Sequence, residues 1–241
     1  MHKVFTFNEH ILKEGTNESE VKCFYVDGNN QLIGQSTYSP ATLYKTTSKD
    51  EDGKQITEYK DKLGQVVMKR NSGDVDTYYV YNDLGQLCYV IPPKAVDELI
   101  DLNEDNPIMK QYCYIYKYDE RGNCKYKKLP GCEPIYMAYD RANRLVESQD
   151  GNQRLQNKWT VTKYDLFGRV ISTGTITDAA TTWPVLNSNN YQHKNNLIVE
   201  TYANGVYSNT YFSDALPLTV NYYDDYNFLP TSSPLLYQEK Q

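Results

Sequence analysis

The sequence predicts an all-β fold: an antiparallel sheet built of consecutive β-hairpins, forming a curved strip with one short helix near 93–102. Three observations carry the prediction. Seven segments share a layout in which aspartate or asparagine is followed three residues later by glycine or asparagine, with tyrosine in front in five of them. The flanks of these segments are short runs of β-branched and aromatic residues with the period-two pattern of half-buried strands. The chain also holds 24 tyrosines against six phenylalanines and two tryptophans. Tyrosine suits a pleated surface on which the ring packs and the hydroxyl finds an acceptor.

In chain order the segments are VDGNNQLI (26–33), KDKLGQVV (60–67), YNDLGQLC (81–88), YDERGNCK (118–125), YDRANRLV (139–146), YDLFGRVI (164–171) and YDDYNFLP (223–230). The first slot holds Asp27, Asp61, Asn82, Asp119, Asp140, Asp165 and Asp224. These short side chains accept hydrogen bonds from backbone N–H groups two residues ahead. The second slot holds Asn30, Gly64, Gly85, Gly122, Asn143, Gly168 and Asn227, the two residue types that most readily take positive φ. An Asx opening and a left-handed close define a tight hairpin loop, a type I turn followed by a bulge. These fourteen residues are therefore expected to be structural turn residues. Strand-like runs lead into the turns at DTYYVY (76–81), YCYIYKY (112–118), IYMAY (135–139), WTVTKY (159–164) and LTVNYY (218–223). A lone hairpin is marginal in water, so the expectation is hairpins laid edge to edge.

Between the repeats, IPPKAVDELIDL (91–102) has Pro93 at its start and Val96, Leu99 and Ile100 on one helical face. NEDNP (103–107) ends that helix. The asparagine-rich NSNNYQHKNN (187–196) reads as a polar loop, and YANGVY (202–207) as a hairpin turning on Asn204-Gly205. Residues 1–241 are expected to form a single repeat region, regular over 1–178 and less regular over 179–241.

Composition excludes some function classes. The net charge of −6 argues against a nucleic-acid binder, and the mean hydropathy of −0.71, with no apolar run near membrane-spanning length, argues against membrane insertion. The opening MHKVFTFNEH lacks the basic-then-apolar layout of a secretion leader. Five cysteines form no CxxC pair and leave the redox compartment open; Cys113 and Cys124 could face each other across a hairpin, but ordinary buried thiols are the expected reading.

Chemistry-bearing motifs are scarce. Two carboxylates flanking one glycosidic bond would need about 5–10 Å of separation across a substrate, whereas each repeat aspartate is expected to serve its own turn. DLNEDN (101–106) and KDEDGK (49–54) partly imitate calcium loops, but neither has glutamate at the twelfth position. His2, His10 and His193 are isolated, and no nucleophile carries a local signature. The expectation is no enzyme, no cofactor and no metal.

The unit in YDLFGRV, with the near-copies YDERGNC and YDRANRLV, resembles the YD repeat of the RHS (rearrangement hot spot) family of very large bacterial proteins. YVYNDLGQLCYVIPP, KWTVTKYDLFGRVISTG and LTVNYYDDYNFL are similar to longer segments of such proteins. The resemblance implies a long strip of hairpins curling into a hollow shell, which in toxin-bearing members encloses a C-terminal effector. It implies a secreted or cell-surface location, with the rest of the parent polypeptide and its effector as partners. The chain resembles a section of shell wall, without a recognisable self-cleavage segment or effector. A second expectation is a carbohydrate-binding or adhesion module that uses exposed tyrosines to stack on surface glycans. A third is pairing of open sheet edges with another chain.

Overall fold

The computed structural model describes residues 21–73, 75–98, 102–182, 195–223 and 225–229. The protein is all-β and antiparallel, and its residues group into two compact units. The first comprises residues up to Tyr118 together with Tyr126–Glu133; the second comprises Asp119–Lys125 and residues from Pro134 onward.

In the first unit, β1 (Lys22–Val26) and β2 (Leu32–Thr37) form a separate two-stranded sheet. Strands β3 (Tyr44–Lys49), β4 (Gln55–Lys60), β5 (Val66–Asn71), β6 (Val75–Tyr81), β7 (Leu87–Ile91) and β8 (Tyr114–Tyr118) follow one another in a meander whose spatial order is the chain order. Alternation decides which side is buried: Tyr78 and Val80 of β6 point into the core, as do Tyr89 and Ile91 of β7. The β1–β2 hairpin packs on that face. Phe24 meets Tyr78 edge to face at 5.2 Å, and the Tyr89 hydroxyl lies 2.9 Å from the Asn30 carbonyl oxygen. This corrects the edge-to-edge expectation for the first repeat, because a sheet face carrying Tyr78, Val80, Tyr89 and Ile91 needs an apolar cover.

Two short helices complete the cover. Helix α1 (Pro93–Glu98) begins on Pro93 and buries Ala95 and Val96; residues 99–101, expected to continue it, lie outside the described residues. Helix α2 (Pro107–Tyr112) was not expected. Asn106 caps it, its Oδ1 accepting from Ile108 N at 2.8 Å, with Pro107 at the first position and Met109 fully buried. Tyr112 therefore ends a helix and does not extend the tyrosine alternation of β8. Beyond the helix end, the Lys128 ammonium donates to the carbonyl oxygens of Lys110 (2.5 Å), Leu129 (3.2 Å) and Cys132 (3.2 Å). Lys128 lies on β9 (Cys124–Lys128), whose first two residues belong to the second unit.

In the second unit, β10 (Ile135–Tyr139), β11 (Leu145–Gln149), β12 (Lys158–Tyr164) and β13 (Val170–Thr177) run in order, with β16 (Leu216–Val220) beside β13. Helix α3 (Gly151–Leu155) bridges β11 and β12 behind a capping box in which Asp150 and Gln153 bond each other's backbone amides. One apolar cluster gathers Trp159, Val161 and Ile176; another gathers Val146, Tyr164 and Ile198. A small hairpin of β14 (Tyr202–Ala203) and β15 (Val206–Tyr207) turns on Asn204 and Gly205, both at positive φ (52° and 81°). Gly174 lets β16 approach closely, since a Cβ there would sit 2.7 Å from the Leu216 carbonyl oxygen. Most of the expected polar loop over 187–196 lies outside the described residues.

Candidate functional site

The seven-fold repeat is the feature of the sequence to which a site could belong, and it resolves into one geometry used repeatedly. At each turn the Asx side-chain oxygen Oδ1 accepts from the amides two and four residues ahead. Asp27 accepts from Asn29 and Gln31 (2.9 and 2.8 Å), and Asp61 from Leu63 and Gln65 (both 2.9 Å). Asn82 accepts from Leu84 and Gln86 (3.1 and 2.9 Å), and Asp119 from Arg121 and Asn123 (2.9 and 2.8 Å). Asp140 accepts from Ala142 and Arg144 (2.8 and 3.0 Å), and Asp165 from Phe167 and Arg169 (both 2.9 Å). Three residues on, the chain is left-handed at Asn30 (φ 58°), Gly64 (80°), Gly85 (76°), Gly122 (84°), Asn143 (60°) and Gly168 (80°). The ladder register shifts at the residue before the Asx in the β4–β5, β6–β7, β10–β11 and β12–β13 hairpins, which is the bulge that the turn requires.

The seventh segment differs. Asp224 lies outside the described residues, and Asn227 is not among the residues with positive φ. The local turn opens one residue later, with Asp225 Oδ1 accepting from Asn227 N at 2.8 Å. An aromatic stack organises this stretch: Tyr222 lies parallel to Phe228 at 3.9 Å, and Tyr207 stacks on Tyr222 at 5.4 Å. A seventh turn of the same kind, outside the seven segments, was missed by sequence reasoning. In KDEDGK, Asp50 Oδ1 accepts from Lys54 N at 2.7 Å and Gly53 has φ 81°, closing the β3–β4 hairpin.

The tyrosine before the Asx has a role that local sequence does not reveal. Its hydroxyl donates to a backbone carbonyl of the preceding repeat, always at the residue two past that repeat's left-handed slot. Tyr81 reaches Val66 (3.2 Å), Tyr118 reaches Leu87 (2.8 Å), Tyr139 reaches Cys124 (2.9 Å), Tyr164 reaches Leu145 (2.8 Å) and Tyr223 reaches Val170 (2.7 Å). Burial first, with the Cys124 thiol second, pushes the Tyr139 phenol up to about 12, and burial raises Tyr81 and Tyr164 as well. These phenols therefore stay protonated and donate throughout the neutral range.

The residue after the left-handed slot completes the motif. Arg144 ties back to Asp140 (Nε 2.9 Å, Nη2 2.5 Å) and lays its guanidinium over the ring of Tyr164 at 4.6 Å. Arg169 bonds Asp165 through Nε at 2.5 Å and covers the ring of Tyr223 at 4.5 Å. Asn123 bonds Asp119 Oδ2 at 2.9 Å. Each element of tyrosine, aspartate, glycine and arginine is thereby engaged within its turn or with the neighbouring repeat. Burial opposes ionisation of Asp165, but the amides of Arg169 and Phe167 and the Arg169 guanidinium outweigh it and hold the carboxyl below its usual range.

Of the acidic loop DLNEDN, Asp101 lies outside the described residues, and 103–106 are engaged in the same structural way. Asn106 caps α2, Asn103 Oδ1 accepts from Asp105 N, and Glu104 meets Lys117 at 2.8 Å and the Tyr89 hydroxyl at 2.6 Å. Among the described residues no group of three or more His, Cys, Asp and Glu side chains converges as a metal site would. Cys113 is buried at the end of α2 while Cys124 opens β9, and no disulfide joins them.

A second concentration of buried polar groups lies in the second unit and was not legible beforehand. The fully buried Glu200 accepts from Ser208 Oγ (2.5 Å), Thr210 N (2.9 Å) and Tyr211 N (2.8 Å), and pairs with Lys163 at 3.6 Å. Lys163 also bonds Asn209. Together with Arg144, which donates to the Ile198 carbonyl oxygen at 3.0 Å, this network binds the 196–211 stretch to the sheet.

No family model matches the chain, and no curated protein matches it. Among solved structures it is similar to a chain of the TcdB2-TccC3-TEV crystal structure (16% identity, TM-score 0.44, covering 67% of this chain and 9% of that one). It is also similar to a chain of the TcdB2-TccC3 crystal structure (16%, 0.43, 67% and 9%). A third is a chain of the Photorhabdus luminescens Tc holotoxin pore (15%, 0.43, 67% and 8%). The chain spans less than a tenth of the length of these structures.

Proposed function

We propose that this chain is a non-catalytic scaffold: a section of RHS-type shell wall whose role is to hold consecutive hairpins in register. The observation that carries this reading is the tyrosine bond repeated at Tyr81, Tyr118, Tyr139, Tyr164 and Tyr223, which spends the side chains that recur most on joining one repeat to the last. The partner is the remainder of the parent polypeptide, including the effector that toxin-bearing relatives of this kind enclose, in a secreted or cell-surface protein. Electron microscopy of the product of the full reading frame tests it. A hollow density with this hairpin strip in its wall is expected; a solid particle with the strip at its surface overturns the proposal.

One observation favours a second reading, a carbohydrate-binding module. Tyr223, Tyr226 and Phe228 are 47%, 65% and 37% exposed beside the stacked Tyr222. Glycan binding that vanishes in Tyr226→Ala would establish that reading. Glycan binding that survives it would remove these rings from consideration.

A further inference from the structure

In the second unit an amine, a carboxamide and a carboxylate meet. Lys163 on β12 is 7% exposed, and its ammonium donates to the side-chain carbonyl oxygen of Asn209. Lys163 Nζ also lies 3.6 Å from Oε1 of the fully buried Glu200. Asn209 Nδ2 donates to the Ser213 carbonyl oxygen at 2.9 Å, which turns the amide oxygen toward the lysine. A donor bonded to an amide oxygen stands about 3.5–4 Å from the carbonyl carbon, close to the separation at which a nucleophile attacks. Burial pushes Lys163 below the usual lysine range, against the opposing pull of Glu200 and Asp214, and so favours the neutral amine. Burial opposes ionisation of Glu200, but Ser208, the amides of Thr210 and Tyr211, and Lys163 outweigh it. They hold Glu200 as a carboxylate, the form that accepts a proton. An amine with a base beside it and a fixed carbonyl carbon in reach is the arrangement of acyl transfer.

We propose that Lys163 and Asn209 join in a self-formed isopeptide bond, with Glu200 as the proton relay. Glu200 takes one proton from the ammonium, and the freed lone pair of Nζ adds to Cγ of Asn209. The tetrahedral centre then collapses: the Cγ–Nδ2 bond breaks, and Nδ2 leaves as ammonia with the proton that Glu200 returns. A second proton from Nζ passes to that ammonia. What remains is one new amide, one ammonium ion and the Glu200 carboxylate, so the step balances within the chain. The bond forms once per chain and is independent of the shell reading. It ties β12 covalently to a residue 46 positions further on and locks the 196–211 stretch onto the sheet.

The intact mass of the whole purified chain under denaturing conditions tests the bond. The expected mass is that of the sequence less one ammonia, and proteolysis should release a branched peptide joining Lys163 to Asn209. A mass equal to that of the full sequence overturns the proposal, and this readout needs no variant to fold. Lys163→Arg, Glu200→Gln and Asn209→Ala, the last a change at an exposed residue, should each show the full mass of its own sequence. A missing ammonia that persists in any of the three overturns the assignment as well.

Discussion

The hydroxyl of Tyr164 donates to the carbonyl oxygen of Leu145 at 2.8 Å, joining the tyrosine of one hairpin to the strand that leaves the turn of the hairpin before it. Tyr164 is buried and Leu145 half-buried, so the bond sits away from bulk water. Replacing Tyr164 by Phe keeps the ring under Arg144 and removes only the donor. The expected loss is about 1 kcal/mol, read as a lower denaturant midpoint at unchanged m-value. An unchanged midpoint would mean that the conserved geometry carries no stability.

The left-handed slot gives a test in which torsion is isolated from packing. A Cβ at Gly168 would meet nothing within 4 Å, yet φ there is 80°. Gly168→Val is therefore expected to cost about 1–3 kcal/mol through backbone strain alone. Gly168→Asn should cost much less, since Asn30 and Asn143 already fill this slot. Equal melting temperatures for the two variants would refute the strain argument.

Asp165 separates two roles of one carboxylate. Oδ1 receives the two turn amides and Oδ2 receives Arg169. Asp165→Asn keeps the first role, as Asn82 does in its own turn, so a mild effect at neutral pH is expected; Asp165→Ala loses both and should cost about 1–3 kcal/mol. Because the folded carboxyl is held below its usual range, its contribution is present above the ordinary aspartate value and lost as pH falls through the lowered one. Acid titration of stability below about pH 4 should accordingly be shallower in Asp165→Asn. A parallel curve would show that this carboxylate is not part of the acid response.

Glu200 is the anchor of the 196–211 stretch, accepting from Ser208, Thr210 and Tyr211 while paired with Lys163. Glu200→Gln places an amide donor among donors and leaves Lys163 buried without its counter-charge. A loss of about 3 kcal/mol or more is expected, with proteolytic cleavage appearing between residues 201 and 215 before the sheet opens. Resistance of that stretch equal to the native protein's would contradict the anchoring role.

The turns were legible because their demand is local: an acceptor two residues back from an amide, and a backbone angle open to glycine and asparagine. Asp61 with Gly64 and Asp165 with Gly168 show both within five residues. The Asp50–Gly53 turn obeys the same rule but has Lys49 in front, where five of the seven segments have tyrosine, and Lys54-Gln55 behind. The opposite error occurred at Asn227, where the letters fit and the surrounding rings impose another path. Helices α2 and α3 left cap signals, Asn106-Pro107 and Asp150 with Gln153, too short to stand out beside strong strand patterns. The tyrosine hydroxyls, the packing of β1–β2 across Tyr78 and Tyr89, and the Glu200 anchor were beyond reach. Their partners lie from 8 to 59 residues away, and only the order of the strands in space says which carbonyl or amide is near.

In the tyrosine bonds the donor and acceptor are separated by as few as 15 residues and as many as 53, yet the acceptor position never changes. Loops of any length can thus be spliced in between hairpins without disturbing the fastening. A gene encoding such a strip can grow by copying one hairpin, and can acquire new surface decoration, without redesigning the joint that holds the copies together.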